Sequence, residues 1–321
     1  MVETSKALQS AQQSLLSKHE MPISWTESLK GVPNGKAFTH PTQFMSNTNI
    51  PDSSTVPFIL AHEFFDALPI HIFQSQPSSK PPKPTTPTSP KPTTQGSPPL
   101  EWREMMISPV SPHSPSPADF ELTLSPSTTR HSRYLPESSP RYRALKSVPN
   151  AIIEICPDAV IYAAEFASRI GGSSSSPKEK PSGAALILDY GTSDTIPVNS
   201  LRGIKQHELV NPFTEAGMVD LSADVDFTAL AEAATLAREG VEVHGPVTQA
   251  DFLETMGIRE RAEAVKKAGG SEELVERVDR ACGRLVDRGV NGMGKLYKVL
   301  AIVPENDGKR RPVGFGGDVS M

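Results

Sequence analysis

The sequence predicts an α/β protein in which helices cover a doubly wound, mainly parallel sheet. Apolar runs at 58–61 (FILA) and 184–188 (AALIL) each end in polar, acidic residues, as buried parallel strands do. Segments of helical period at 159–170, 227–238 and 272–285 supply the covering layers. The 321 residues are enough to bury a sizeable core. A net charge of -5 argues against a nucleic-acid partner bound through a dominant basic face. The two cysteines, Cys156 and Cys282, lie far apart in sequence. They support neither a disulfide framework nor a cysteine zinc cluster, and fit a reducing compartment. No apolar run approaches the roughly 20 residues that a bilayer-spanning helix needs, so no transmembrane segment is expected.

Taken in order, residues 4–17 place Leu8, Ala11, Leu15 and Leu16 at helical spacing, with Thr4 or Ser5 as the cap. A short strand is expected at 23–25, and the first buried parallel strand at 58–61. Extra strands are expected at 102–107 and 142–148. A helix is expected at 159–170, where Ile161, Ala164, Phe166 and Ile170 are apolar. The strand at 184–188 runs into Asp189-Tyr190-Gly191, and a closing strand is expected at 295–303. Many of the 31 prolines cluster in polar tracts at 75–99 and 108–117. Such tracts bury too little side chain to offset backbone ordering, so both are expected to be disordered insertions. The Gly/Ser stretch at 171–183 is expected to be a flexible loop, and 304–321 a tail, within one domain spanning 1–321. The sequence contains no internal repeats.

In such sheets ligands sit beyond the carboxyl ends of the strands, which directs attention to Glu3, His62, Glu63, Asp66 and Asp189. The run His62-Glu63-Phe64-Phe65-Asp66 is not H-E-x-x-H, because Asp66 takes the second histidine's place and Pro69 limits helix extension. No G-x-S-x-G elbow anchors a hydrolase triad. Glu63 and Asp66 either accept hydrogen bonds from a ligand or cap the turn after the strand. Asp189 either holds a substrate cation or stabilises its turn beside Tyr190. Asp220, Asp224 and Asp226 are spaced like oxygen ligands, yet Val225 and Ala231 stand where a calcium loop needs Gly and Glu. Asp226 is better placed as a helix cap. The stretch 290–295 (VNGMGK) lacks the third glycine of a dinucleotide loop and reads as a turn. No metal ligands are identified.

Several stretches read together resemble one family. They are VETSKALQSAQQ (2–12), SWTESL (24–29), AHEFFDALPIHIF (61–73), WRE (102–104), LILDYG (186–191) and LRGIKQHE (201–208). The series continues with DLSADVDFTAL (220–230), GPVTQADFL (245–253) and MGKLYKVLAI (293–302). Their order resembles the MidA-type methyltransferases, mitochondrial complex I assembly factors that symmetrically dimethylate an arginine of a complex I subunit. The resemblance implies a class I fold of the Rossmann-like type and S-adenosyl-L-methionine as cofactor. It places Glu3 against the ribose hydroxyls, Glu27 and Ser28 in the loop beside the adenine, and His62 near the methionine part. It sets 61–66 next to the methyl acceptor, so that Glu63 and Asp66 are expected to be catalytic, with Asp189 and Tyr190 as the substrate-binding candidates. It also pairs 241–248 with 295–303 as antiparallel strands at the sheet edge.

The chain departs from the family pattern in two places. His62 stands where the family has Asn, and the family's first strand and glycine-rich turn would precede Val2. The chain is therefore expected to be amino-terminally truncated, with the first strand missing from its sheet. Residues 1–20 carry two acidic residues, Glu3 and Glu20, and no Arg, unlike a mitochondrial presequence, whereas the resemblance implies the mitochondrial matrix. The implied function is protein arginine methylation of a complex I subunit. The alternative is a non-catalytic scaffold, or a truncated gene-model fragment that binds no cofactor.

Overall fold

The computed structural model describes residues 1–17, 23–32, 56–78, 98–172, 180–268, 271–309 and 311–316. Helix α1 (Lys6–Leu16) starts where Ser5 Oγ accepts the Leu8 N–H at 3.3 Å. Residues 23–25 form no strand. Thr26 instead makes an isolated parallel bridge to Val2.

The strands that follow are β1 (Phe58–His62), β2 (His71–Pro77), β3 (Leu100–Pro109), β4 (Phe120–Leu124), β5 (Ile152–Ile155) and β6 (Ala184–Thr192). Then come β7 (Arg202–Lys205), β8 (Glu208–Val210), β9 (Asp220–Ser222), β10 (Val225–Asp226), β11 (Val241–Thr248) and β12 (Tyr297–Pro304). The further helices are α2 (Arg130–Tyr134), α3 (Pro140–Leu145), α4 (Pro157–Gly171) and α5 (Phe227–Ala237). They continue with α6 (Gln249–Thr255), α7 (Ile258–Lys267), α8 (Glu272–Leu285) and α9 (Met293–Leu296).

The main sheet has the order β1-β6-β12-β11, with β10 added beside the end of β6. β1 and β6 are parallel from Phe58↔Ala184 to His62↔Leu188. β12 runs antiparallel to both β6 and β11, so the sheet is mixed, and 241–248 pairs with the closing strand as expected. On one face Ala163, Phe166 and Ile170 of α4 and Phe227, Leu230 and Ala234 of α5 pack over Ala61, Ile187 and Leu300. On the other, Phe252 of α6 and Phe315 cover Val299 and Ala301, so part of the expected tail belongs to the core. That second face is open over β1, where Phe58 is 82% and Leu60 70% exposed. The expected fully buried strand is thus buried on one side among the described residues.

A second, antiparallel sheet, β4-β3-β2-β5, packs Phe73, Trp102, Ile153 and Ile155 against Tyr142. Tyr142 belongs to α3, which corrects the strand expected at 142–148. Ser139 caps that helix, its Oγ accepting the Arg141 N–H at 3.2 Å, and Pro140 fills the first turn, where its missing N–H costs nothing. These signals outweigh the β preference of Tyr142 and Val148. The polar tract at 75–99 begins inside β2, and its residues 79–97 lie outside the described ones, as do 173–179. Residues 110–119 join β3 to β4. A small third sheet has the order β8-β7-β9.

Candidate active site at the strand ends

The chain leaves β1 under close control. The Glu63 N–H extends the ladder to the Leu188 carbonyl at 3.0 Å, and Glu63 then adopts φ 48, a left-handed conformation that a non-glycine residue rarely takes. The next three amides converge on one atom. Phe64, Phe65 and Asp66 donate to Asp189 Oδ2 at 3.1, 2.9 and 3.4 Å, while Tyr190 donates to Oδ1 at 2.9 Å. Asp189 is fully buried. Burial pushes its carboxyl up to about 7, the nearby Asp66 charge adds to this, and the amides of Phe65, Tyr190 and Phe64 oppose it. Asp66 is half-buried and accepts the Ser222 hydroxyl at 2.9 Å, and its carbonyl accepts the Ala223 N–H at 2.9 Å. Burial raises its carboxyl as well.

Because β12 is antiparallel to β6, its first residues arrive where β6 ends. Tyr297 lies opposite Tyr190, with ring centroids 4.0 Å apart, and donates its hydroxyl to the exposed Glu63 carboxylate. Burial, and then this bond, raise the Tyr297 pKa. The Arg202 guanidinium lies 4.8 Å over the Tyr190 ring, and its Nη1 is 2.6 Å from Asp224 Oδ1. The Lys298 ammonium turns aside to the carbonyls of Lys295 and Leu296, at 2.6 and 3.1 Å. Carboxylates and phenol rings on one edge are the groups that recognise a planar cation.

The remaining sequence-derived residues gather elsewhere. The Val2–Thr26 bridge brings Glu3 beside the loop that carries Glu27 and Ser28. Glu3 accepts the Ser5 N–H at 2.9 Å on one oxygen and Gln12 Nε2 at 3.4 Å on the other. A carboxylate has about four acceptor positions, so Glu3 retains capacity for two hydroxyls and fits a ribose. Glu27 is exposed and ion-paired with Lys6, and the Ser28 carbonyl accepts the Thr26 hydroxyl at 3.0 Å. His62 is exposed at the end of β1. Arg169 Nη2 ties this region to α4 through the Val32 carbonyl at 3.3 Å. Of the three spaced aspartates, Asp226 caps α5 and Asp224 pairs with Arg202. Sequence reasoning missed Tyr297, Arg202 and Ser222 as members of the site, although each lies in a quoted stretch. The cavity lined by Phe65, Tyr142, Cys156 and Leu230 has a volume of ≈ 20 Å³, room for a single water and not for a cofactor.

Residues 1–247 match a family described as putative S-adenosyl-L-methionine-dependent methyltransferase. The chain is 30% identical over 289 residues to the protein arginine methyltransferase NDUFAF7, mitochondrial, of Rattus norvegicus, covering 90% of this chain and 51% of that one. It is 32% identical over 246 residues to the Drosophila melanogaster homolog of that protein, covering 77% of this chain and 47% of the other. The chain thus spans about half the length of these curated relatives. A likely methyltransferase from Burkholderia thailandensis, crystallised with S-adenosyl-homocysteine, superposes with a TM-score of 0.61 at 17% identity. That match covers 98% of this chain and 64% of the other. A second, uncharacterised protein from the same organism has a TM-score of 0.61 and 17% identity, over 98% of this chain and 66% of its own. The fold is that of these proteins, and the chain belongs to the family of putative S-adenosyl-L-methionine-dependent methyltransferases.

Proposed function

We propose that the chain is the substrate-facing part of a protein arginine methyltransferase that acts on a complex I subunit in the mitochondrial matrix and yields symmetric dimethylarginine. One observation carries this reading. Glu63 and Asp66 stand at one strand end beside two tyrosines whose rings touch at a tilt, and that edge already holds a guanidinium, Arg202. Relatives named as mitochondrial arginine methyltransferases support the reaction and the compartment. The cofactor supplies an activated methyl group. Glu3 would hold its ribose, Glu27 and Ser28 would lie at the adenine, and His62 at the methionine end. Glu63 and Asp66 would grip the substrate guanidinium and turn one nitrogen toward the methyl. A guanidinium keeps its proton in water, so these carboxylates also favour charge delocalisation away from the attacking nitrogen. Tyr190 would pack on its plane, and Asp189 would fix the loop beneath.

The test is transfer of radiolabelled methyl from the cofactor to arginine peptides of complex I subunits. Labelled symmetric dimethylarginine, lost in Glu63→Ala while cofactor binding persists, is expected. Unchanged turnover in Glu63→Ala removes that residue from the chemistry. The uncovered apolar face of β1 favours one other reading, a non-catalytic scaffold. Stoichiometric cofactor binding by the chain would count against it.

A further inference from the structure

On the second sheet, away from the residues assigned above, His71, Glu104 and His131 converge. Each offers one ligand atom, and these atoms all lie within 4.8 Å of one another. His71 Nδ1 is 2.8 Å and His131 Nδ1 3.4 Å from the same oxygen, Glu104 Oε1. The imidazole rings sit 4.3 Å apart at 56°. A tetrahedral ion about 2.0–2.1 Å from each donor needs donor separations near 3.3 Å, and the two nitrogen-to-carboxylate separations, 2.8 and 3.4 Å, lie on either side of that value. The donor types are those of two-histidine, one-carboxylate zinc sites. Glu104 is buried, and its other oxygen accepts the Thr129 hydroxyl, the outer-shell bond that fixes a ligating carboxylate. His71 is half-buried and His131 exposed, which leaves an entry path and an open position on the solvent side. The ligands come from the start of β2, from β3 and from α2, with His71 and Glu104 33 residues apart. That spacing is why no metal motif is visible in the sequence.

We propose that His71, Glu104 and His131 form a site for a divalent transition-metal ion, Zn²⁺ foremost. The ion would clamp the five-residue helix α2 onto the second sheet. So short a helix has little stability of its own and rests on tertiary ties.

The experiment measures Zn²⁺ binding to the chelator-treated chain by calorimetry, and visible absorption after Co²⁺ substitution, with no methyl-transfer readout. One ion per chain is expected, with a higher melting temperature when loaded. His131→Ala removes a ligand on the surface, so the fold persists, as circular dichroism will verify. Affinity should fall at least about 100-fold in this variant, the upper end of what loss of an outer-shell partner costs, and Thr129→Val should fall by about 10–100-fold. Absence of stoichiometric binding overturns the proposal. So does binding that survives in His131→Ala and His71→Gln, which would place the ion on other histidines such as His113, His207 or His244.

Discussion

Asp189→Asn tests how the loop after β1 is held. In the parent, two carboxylate oxygens accept four backbone N–H groups. Asparagine supplies one oxygen and one amide nitrogen. Its best placement turns the oxygen to Phe64, Phe65 and Asp66 and sets its NH₂ against the Tyr190 N–H. One buried donor is then unsatisfied, at about 1–3 kcal/mol. The parent carries a different burden. Its carboxyl is raised from 3.8 to about 7, which amounts to about 4 kcal/mol. Because the folded-state value is the higher one, the native state keeps a proton that the unfolded chain has lost. This contribution to stability is therefore greatest below 3.8, declines as pH rises toward 7, and levels off above. The variant has no such decline. Between pH 5 and pH 8 the parent should lose about 2–3 kcal/mol more than the variant. The variant starts less stable in acid and approaches or overtakes the parent in mild alkali. Urea unfolding at the two pH values, followed through the fluorescence of buried Trp102, measures this. Parallel pH profiles for parent and variant would refute the reasoning. Hydrogen exchange at Phe64 and Phe65 that is no faster in the variant would refute the anchoring role.

Other expectations follow from neighbouring contacts. Tyr297→Phe removes the hydroxyl that orients Glu63 but keeps the ring against Tyr190. Turnover should drop on the order of 100-fold with stability changed by about 1 kcal/mol, as steady-state kinetics and melting curves will show. Asp226→Ala deprives Arg141 and Tyr142, at 3.0 and 3.1 Å, of their shared partner and uncaps α5. A loss of about 3–5 kcal/mol is expected in denaturant titration, partly recovered in Asp226→Asn.

The sequence revealed those features of the fold whose signal is local. Apolar runs marked β1 and β6, helical period marked α4, α5 and α8, and acidic residues at strand ends marked Glu63, Asp66 and Asp189. Features made by chain return were hidden. Tyr297 opens a strand, and only the antiparallel placement of β12 brings it to the end of β6. Arg202 and Ser222 reach the same edge from the small third sheet. The second sheet was not recognised because a long polar tract separates β2 from β3, its main partner. Helix α3 shows the opposite case: its serine cap and first-turn proline are local signals that prevail over the β preference of Tyr142 and Val148.

The β2–β3 hairpin closes tightly at its tip. Pro77 faces Leu100, and the Ser78 N–H bonds the Pro99 carbonyl at 2.8 Å, so the chain exits and re-enters at adjacent points. For a flexible connection between two adjacent points, doubling the length costs about 0.6 kcal/mol. Extra length between Ser78 and Pro99 is therefore cheap for the sheet, which makes this connection a port for engineering. A reporter domain or affinity handle spliced there would leave the β2–β3 register, paired from Ile72↔Met105 to Pro77↔Leu100, as it is.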